Sequence, residues 1–129
     1  MKKILCLFMA TVLCLSIAGC GNELGIITIT DTQEKLSSKE LMKVYKTNQV
    51  AFEEKYVNKD VEFVATIKSI SDHVYTSVSF EEGGLDVRYV PKDALSNLLA
   101  GDVVKVKGKI SSDTFVNIVI TAAIIEKIK

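Results

Sequence analysis

The 129-residue sequence predicts a mainly β fold, a small five-stranded barrel with a helix ahead of it and a shorter helix between its third and fourth strands. Three observations carry this. From Val61 onward, five runs either alternate apolar and polar side chains or are apolar on both sides, the pattern of strands. One stretch, "PKDALSNLLAGD", breaks that rhythm, and it falls after the third run. Ahead of the strands, Leu41, Val44, Tyr45, Asn48, Phe52 and Tyr56 recur at three- and four-residue steps, which lays them along one helical stripe.

The N-terminal segment stands apart from that fold. "MKKILCLFMATVLCLSIAGC" has a basic head at Lys2 and Lys3, an uncharged run from Ile4 to Gly19 and a small-residue exit, the composition of an export signal. The run is at the short end of the about 20 apolar residues that a spanning helix needs, and Gly21-Asn22-Glu23 behind it offers no basic stop. Ile17-Ala18-Gly19-Cys20 closely resembles the bacterial lipobox. That resemblance implies that residues 1–19 are a signal peptide and that Cys20 becomes the lipidated first residue, bearing a thioether-linked diacylglycerol with acyl chains of the palmitate kind. The chemistry fits, because cysteine supplies a soft nucleophilic sulfur and Ala18 and Gly19 are small enough for a peptidase cleft. Each buried methylene contributes roughly 0.8 kcal/mol, so two or three chains anchor a protein where one is marginal. The expected location is the bacterial cell envelope, on the extracytoplasmic side of a membrane.

Cys6 and Cys14 lie inside the leader, so the mature chain keeps Cys20 alone. An internal disulfide and a cysteine metal cluster are thereby excluded. The remaining 110 residues suffice for one domain, and their 14 basic against 16 acidic side chains lack the excess positive charge that advertises nucleic acid.

Residues 20–36 read as the lipidated tether, in which the β-branched "IITIT" is either an added strand or a sticky linker. Residues 37–129 read as the helix and the barrel. Ser37 or Ser38 can cap the helix, with Glu40 near capping-box spacing, and Asn58-Lys59-Asp60 makes its exit. The first strand places Val61, Phe63, Ala65 and Ile67 on one face, and Ser71-Asp72-His73 turns into a second with Val74, Thr76, Val78 and Phe80 together. Gly83-Gly84 is a reversal signal, and "LDVRYV" then groups Leu85, Val87 and Tyr89. Pro91 starts the interrupting helix, with Ala94, Leu95, Leu98 and Leu99 apolar and Gly101 ending it. In "DVVKVKGKI" the inward set is Val104, Val106, Gly108 and Ile110, Gly108 marking a sharp bend or a bulge. Ser111-Ser112-Asp113 leads to a last run that is apolar on both faces except at Asn117 and Thr121.

Five strands interrupted once after the third match the partly open Greek-key barrel called the OB-fold, the competing arrangement being an open five-stranded sheet under one helix. Within that class the chain resembles small bacterial lipoproteins and exported proteins carrying a tRNA_anti-like OB domain. The residues concerned are Tyr45, Asn48 and Ala51 in the helix, Tyr56 with "NKDVEFVATIKSI", and "LLAGDVVKVKGKI" before a final apolar strand, spanning Glu40 to Glu126. The resemblance implies an OB barrel and no set of catalytic residues. Members often carry a cysteine after the third strand and another near the last strands; here Val90 and Pro91 stand at the first place, and neither cysteine is present.

No catalytic, metal or cofactor site emerges from the residues. His73, the single histidine, sits in a polar turn beside Asp72, and no paired cysteines, phosphate loop or Gly-x-Ser-x-Gly element occurs. Two surfaces stand out. Tyr75, Arg88 and Lys68 lie on the first three strands, the usual ligand side of an OB barrel. Tyr89 lies on the same strands, but it shares the inward phase of Leu85 and Val87, which favours the core with its hydroxyl at a rim. Lys105, Lys107 and Lys109 set three ammonium groups on one side of a strand, suited to an anionic headgroup or polymer, or to discouraging edge pairing. The expected function is a membrane-anchored, non-enzymatic module that binds an envelope protein, peptide or glycan. The alternative is an extracellular single-stranded oligonucleotide binder, against which the absence of tryptophan and the nearby Glu81 and Asp86 speak.

Overall fold

The computed structural model describes residues 24–129, so the leader and Cys20 lie outside the described residues. The elements are β1 (Ile26–Ile29), β2 (Glu34–Ser37), α1 (Ser38–Thr47), α2 (Gln49–Tyr56), β3 (Asp60–Asp72), β4 (Thr76–Phe80), β5 (Leu85–Arg88), α3 (Lys92–Leu95), β6 (Val103–Ile110) and β7 (Ile118–Lys127).

The sheet runs β2-β1-β3-β4-β5-β7-β6, and β6 pairs back onto β3. That last pairing, from Asp60↔Lys109 to Thr66↔Val103, closes β3 to β7 into a five-stranded barrel. β5 and β7 are parallel and the other barrel pairs antiparallel, the connectivity of an OB-fold. Of the inward sets read from the alternation, Val61, Phe63, Ala65, Ile67, Val78, Phe80, Leu85, Val87, Val104, Val106 and Ile110 are buried, as are Ile118 and Ile120 of β7. Val74, grouped with Thr76, instead lies in the turn before β4 and is exposed. Phe63 and Phe80 meet edge to face at 5.5 Å, an arrangement that ring quadrupoles favour.

Gly108 is where β7 carries one residue more than β6, with Ala122 at a φ of 53°. A Cβ at Gly108 would lie 2.6 Å from Ile120 Cγ2, so the close approach of the two strands requires glycine. The second bulge falls at Lys68, between the Ile67 and Ser69 pairings with β4.

"IITIT" is a strand: β1 pairs with β2 and β3, and buries Ile27 and Ile29 in the common core. β2 went unforeseen because Glu-Lys-Leu-Ser has too little apolar character to declare itself; it exists by pairing with β1.

The single helix expected from the apolar stripe is two. Asn48, at φ −157° and ψ 88°, ends α1 through its N–H to Val44 O, then caps α2 by accepting the Ala51 N–H on its side chain at 3.0 Å. Asparagine breaks a continuous pattern here because its side chain competes with the helical backbone for hydrogen bonds. The stripe survives the break: Leu41, Phe52 and Tyr56 remain buried, and Phe52 packs against the rings of Tyr45 at 5.3 Å and Tyr56 at 5.7 Å. Ser37 is the cap of α1, forming a reciprocal capping box with Glu40.

Candidate functional site

The β4–β5 hairpin has one end at Glu81–Gly84 and the other where β4 begins and β5 ends. At this second end the strand alternation fails, and the failure builds a surface. Leu85 and Val87 point inward as their phase requires, but Tyr89 adopts a φ of 62° and turns out of the core, 56% exposed. Val90 takes the buried position instead. This corrects the assignment of Tyr89 to the core: a left-handed residue shifts the phase by one. For a bulky L-residue that conformation costs roughly 1–2 kcal/mol, and neighbouring groups must hold it.

Thr76 does so from the adjacent strand. Its carbonyl accepts the Tyr89 N–H at 2.9 Å, and its buried hydroxyl donates to Val90 O at 2.7 Å. Two successive residues of the turn are thus fixed by one threonine, the first facing out and the second in.

Outside the barrel, Tyr89 lies against Tyr75, with ring centroids 5.1 Å apart and planes inclined at 47°. The Arg88 guanidinium sits 4.9 Å from the centre of the Tyr75 ring, within cation–π range. Arg88 Nε donates to Asp86 Oδ2 at 2.8 Å, and both side chains are largely sheltered from solvent. Burial opposes the charge on Arg88, while the hydrogen bond and the charge of Asp86 more than offset it, so its pKa is raised above the usual arginine value. The other Asp86 oxygen, Oδ1, is buried with no hydrogen-bond partner among the described residues. An unsatisfied buried acceptor costs about 1–3 kcal/mol. Arg88 thus links the strained turn at Tyr89 to a carboxylate three residues back along β5.

Around this platform, the turn from His73 to Tyr75 exposes Val74 at 93%. Asp72 is held by Lys92 Nζ at 2.9 Å, and the hydrogen bond and charge of Asp72 raise the Lys92 pKa. Ser71 and Ser77 hydroxyls, 3.0 Å apart, continue the polar surface away from the rings. The arrangement offers two aromatic faces, a fixed guanidinium and hydroxyls. It can stack a flat or ring-shaped ligand and hydrogen-bond its edge.

Of the three residues assigned to the ligand face from sequence, Tyr75 and Arg88 are thus in contact. Lys68 is exposed in the β3 bulge, three residues along the strand from Ser71. Sequence reasoning left Tyr89 to the core by its phase and missed Asp86 as the partner of Arg88. The available signal was Pro91: the strand must end before it, so the phase of the last residues of "LDVRYV" is not secured by alternation.

The lysine row on β6 is placed as its period requires, yet it faces carboxylates on β3. Lys105 Nζ lies 3.0 Å from Glu62 and Lys109 Nζ 2.7 Å from Asp60. Cross-strand pairing thus spends much of the charge that would draw an anion. Among the described residues no group of three His, Cys, Asp or Glu side chains converges as metal ligands, and no helix is long and apolar enough to cross a membrane.

Comparison with protein families, with curated proteins and with solved structures finds no match to this chain. The class rests on the barrel itself: an OB-fold-like β-barrel with an added N-terminal hairpin and helix pair.

Proposed function

We propose that the chain is a lipid-anchored binding module of the bacterial envelope that takes an envelope glycan on the Tyr75–Tyr89–Arg88 platform. The observation that carries this reading is the outward, strained placement of Tyr89 against Tyr75. Stability alone would favour a buried residue or a glycine there, so the exposed ring needs another reason. Tyrosines suit sugars because the ring covers a pyranose face while the hydroxyl stays in water. Arg88, already neutralised by Asp86, presents directed N–H groups rather than net charge. That balance speaks for a glycan over a nucleic acid, whose binding is dominated by phosphate neutralisation. The kinship to tRNA_anti-like lipoproteins, suggested by "LLAGDVVKVKGKI", is part of the same proposal, as is the anchor on Cys20.

Two experiments test it. Cys20→Ala should leave an unprocessed, unlipidated precursor by intact mass, whereas parent and variant masses that differ only by the substituted sulfur atom would remove the anchor. Calorimetric titration of the lipidated protein in detergent with soluble peptidoglycan fragments should show saturable binding, with no binding of a thymidine oligonucleotide at low salt. Binding of the oligonucleotide alone would establish the alternative reading.

A further inference from the structure

The described chain begins at a defined place on the barrel. Leu24 bridges to Val64, and Gly25 N–H donates to Val64 O at 2.8 Å, so this point is fixed to β3. Leu24 and Gly25 border a cleft of about 620 Å³ whose other walls include Ser38, Lys39 and Met42 at the start of α1. The chain entry and the α1 surface therefore share one side of the molecule.

On α1, Lys39, Lys43 and Lys46 are exposed and stand at i, i+4 and i+7, one stripe of the helix. Together with Glu40, Met42 and Thr47 they line a shallow hollow of about 530 Å³. No carboxylate within salt-bridge distance of these three is found among the described residues. Glu40, the acidic residue of α1, is turned back to accept the Ser37 N–H at 2.8 Å. Glu82, at the cleft, accepts the Thr66 N–H at 2.9 Å.

We propose that this side, the Leu24 entry and the Lys39–Lys43–Lys46 stripe, docks on an anionic lipid surface. The inference rests on the lipidated Cys20 of the proposed function. Only three residues lie between Cys20 and Leu24, and the four steps from one Cα to the other reach at most about 14 Å in any conformation. A domain of this size is on the order of 30 Å across, so the acyl chains hold the Leu24 side against the headgroups. Three ammonium groups there match the negative potential of phosphatidylglycerol, each lysine favouring association by about fivefold.

Docking also orients the ligand platform. The Ser38 hydroxyl of α1 donates to Gly83 O, at one end of the β4–β5 hairpin. Tyr75, Arg88 and Tyr89 lie at the opposite end, the five residues of β4 away, a length of about 17 Å. The tyrosines then face outward from the bilayer.

The test is lysine acetylation of the full chain, purified lipidated from bacterial membranes and reconstituted in phosphatidylcholine vesicles with or without phosphatidylglycerol, with each site's rate followed by mass spectrometry. Phosphatidylglycerol should slow Lys39, Lys43 and Lys46 by about fivefold or more, leave Lys68 and Lys92 unchanged, and lose its effect at high salt. Equal rates at all sites in both vesicles, with the lipid mass present on Cys20, would overturn the docking and leave the anchor standing. Protection that is the same with and without phosphatidylglycerol would overturn the electrostatic part. A chain of unlipidated mass would overturn the anchor and the docking with it.

Discussion

The two ends of the β4–β5 hairpin are finished in opposite ways. At the Gly83–Gly84 end the turn is held against a helix: a Cβ on Gly84 would stand 2.4 Å from Ser38 Oγ, and α1 lies directly behind it. At the other end the chain accepts a left-handed tyrosine and leaves its ring exposed against the half-buried ring of Tyr75. One end spends its residues on packing against a helix and the other on presentation. The contrast teaches where to look for function in a barrel without catalytic groups: at the place where packing would have chosen differently.

The helix pair and the turn that packs on it should give the largest effects on stability. Phe52→Ala removes the ring on which Tyr45 and Tyr56 converge and should cost about 3–5 kcal/mol in urea unfolding. A loss below 1 kcal/mol would mean that the helix pair adds little to the barrel. Gly84→Ala combines a φ of 74° with the Ser38 clash, and should cost about 1–3 kcal/mol by the same measurement.

At the open end, Thr76→Val keeps the shape but deprives Val90 O of its donor. The expected cost is about 1–3 kcal/mol, together with greater mobility of the Tyr89 ring in NMR relaxation. An unchanged ring would show that Thr76 does not hold the platform. The smallest effect should come from Lys109→Ala, an exposed pair with Asp60, at less than about 1 kcal/mol and diminishing with salt.

The closed barrel was readable because its strands are buried on one face and alternate with a period of two: Val104, Val106 and Ile110 could hardly face elsewhere without exposing the core. What was not readable depended on single backbone torsions. Asn48 divides a stripe whose spacing is helical throughout, since hydrophobic period carries no information about a local side-chain cap. Tyr89 sits in phase with the core and leaves it by one positive φ, so half of the candidate site was visible as Tyr75 and Arg88 and half was hidden. β2 shows the same limit from the other side, a strand made by its neighbour rather than by its composition.

The account turns on Tyr89 being outward for a ligand rather than for the fold. Tyr89→Asn places a residue that tolerates the left-handed region and removes the ring. Thermal unfolding and peptidoglycan-fragment titration, run side by side on the variant and the parent protein, separate the two roles. The account predicts stability within about 1 kcal/mol of the parent and affinity for the glycan lowered about tenfold or more. Full affinity in the variant, or a collapse of stability that takes binding with it, would contradict the claim that this corner exists to bind.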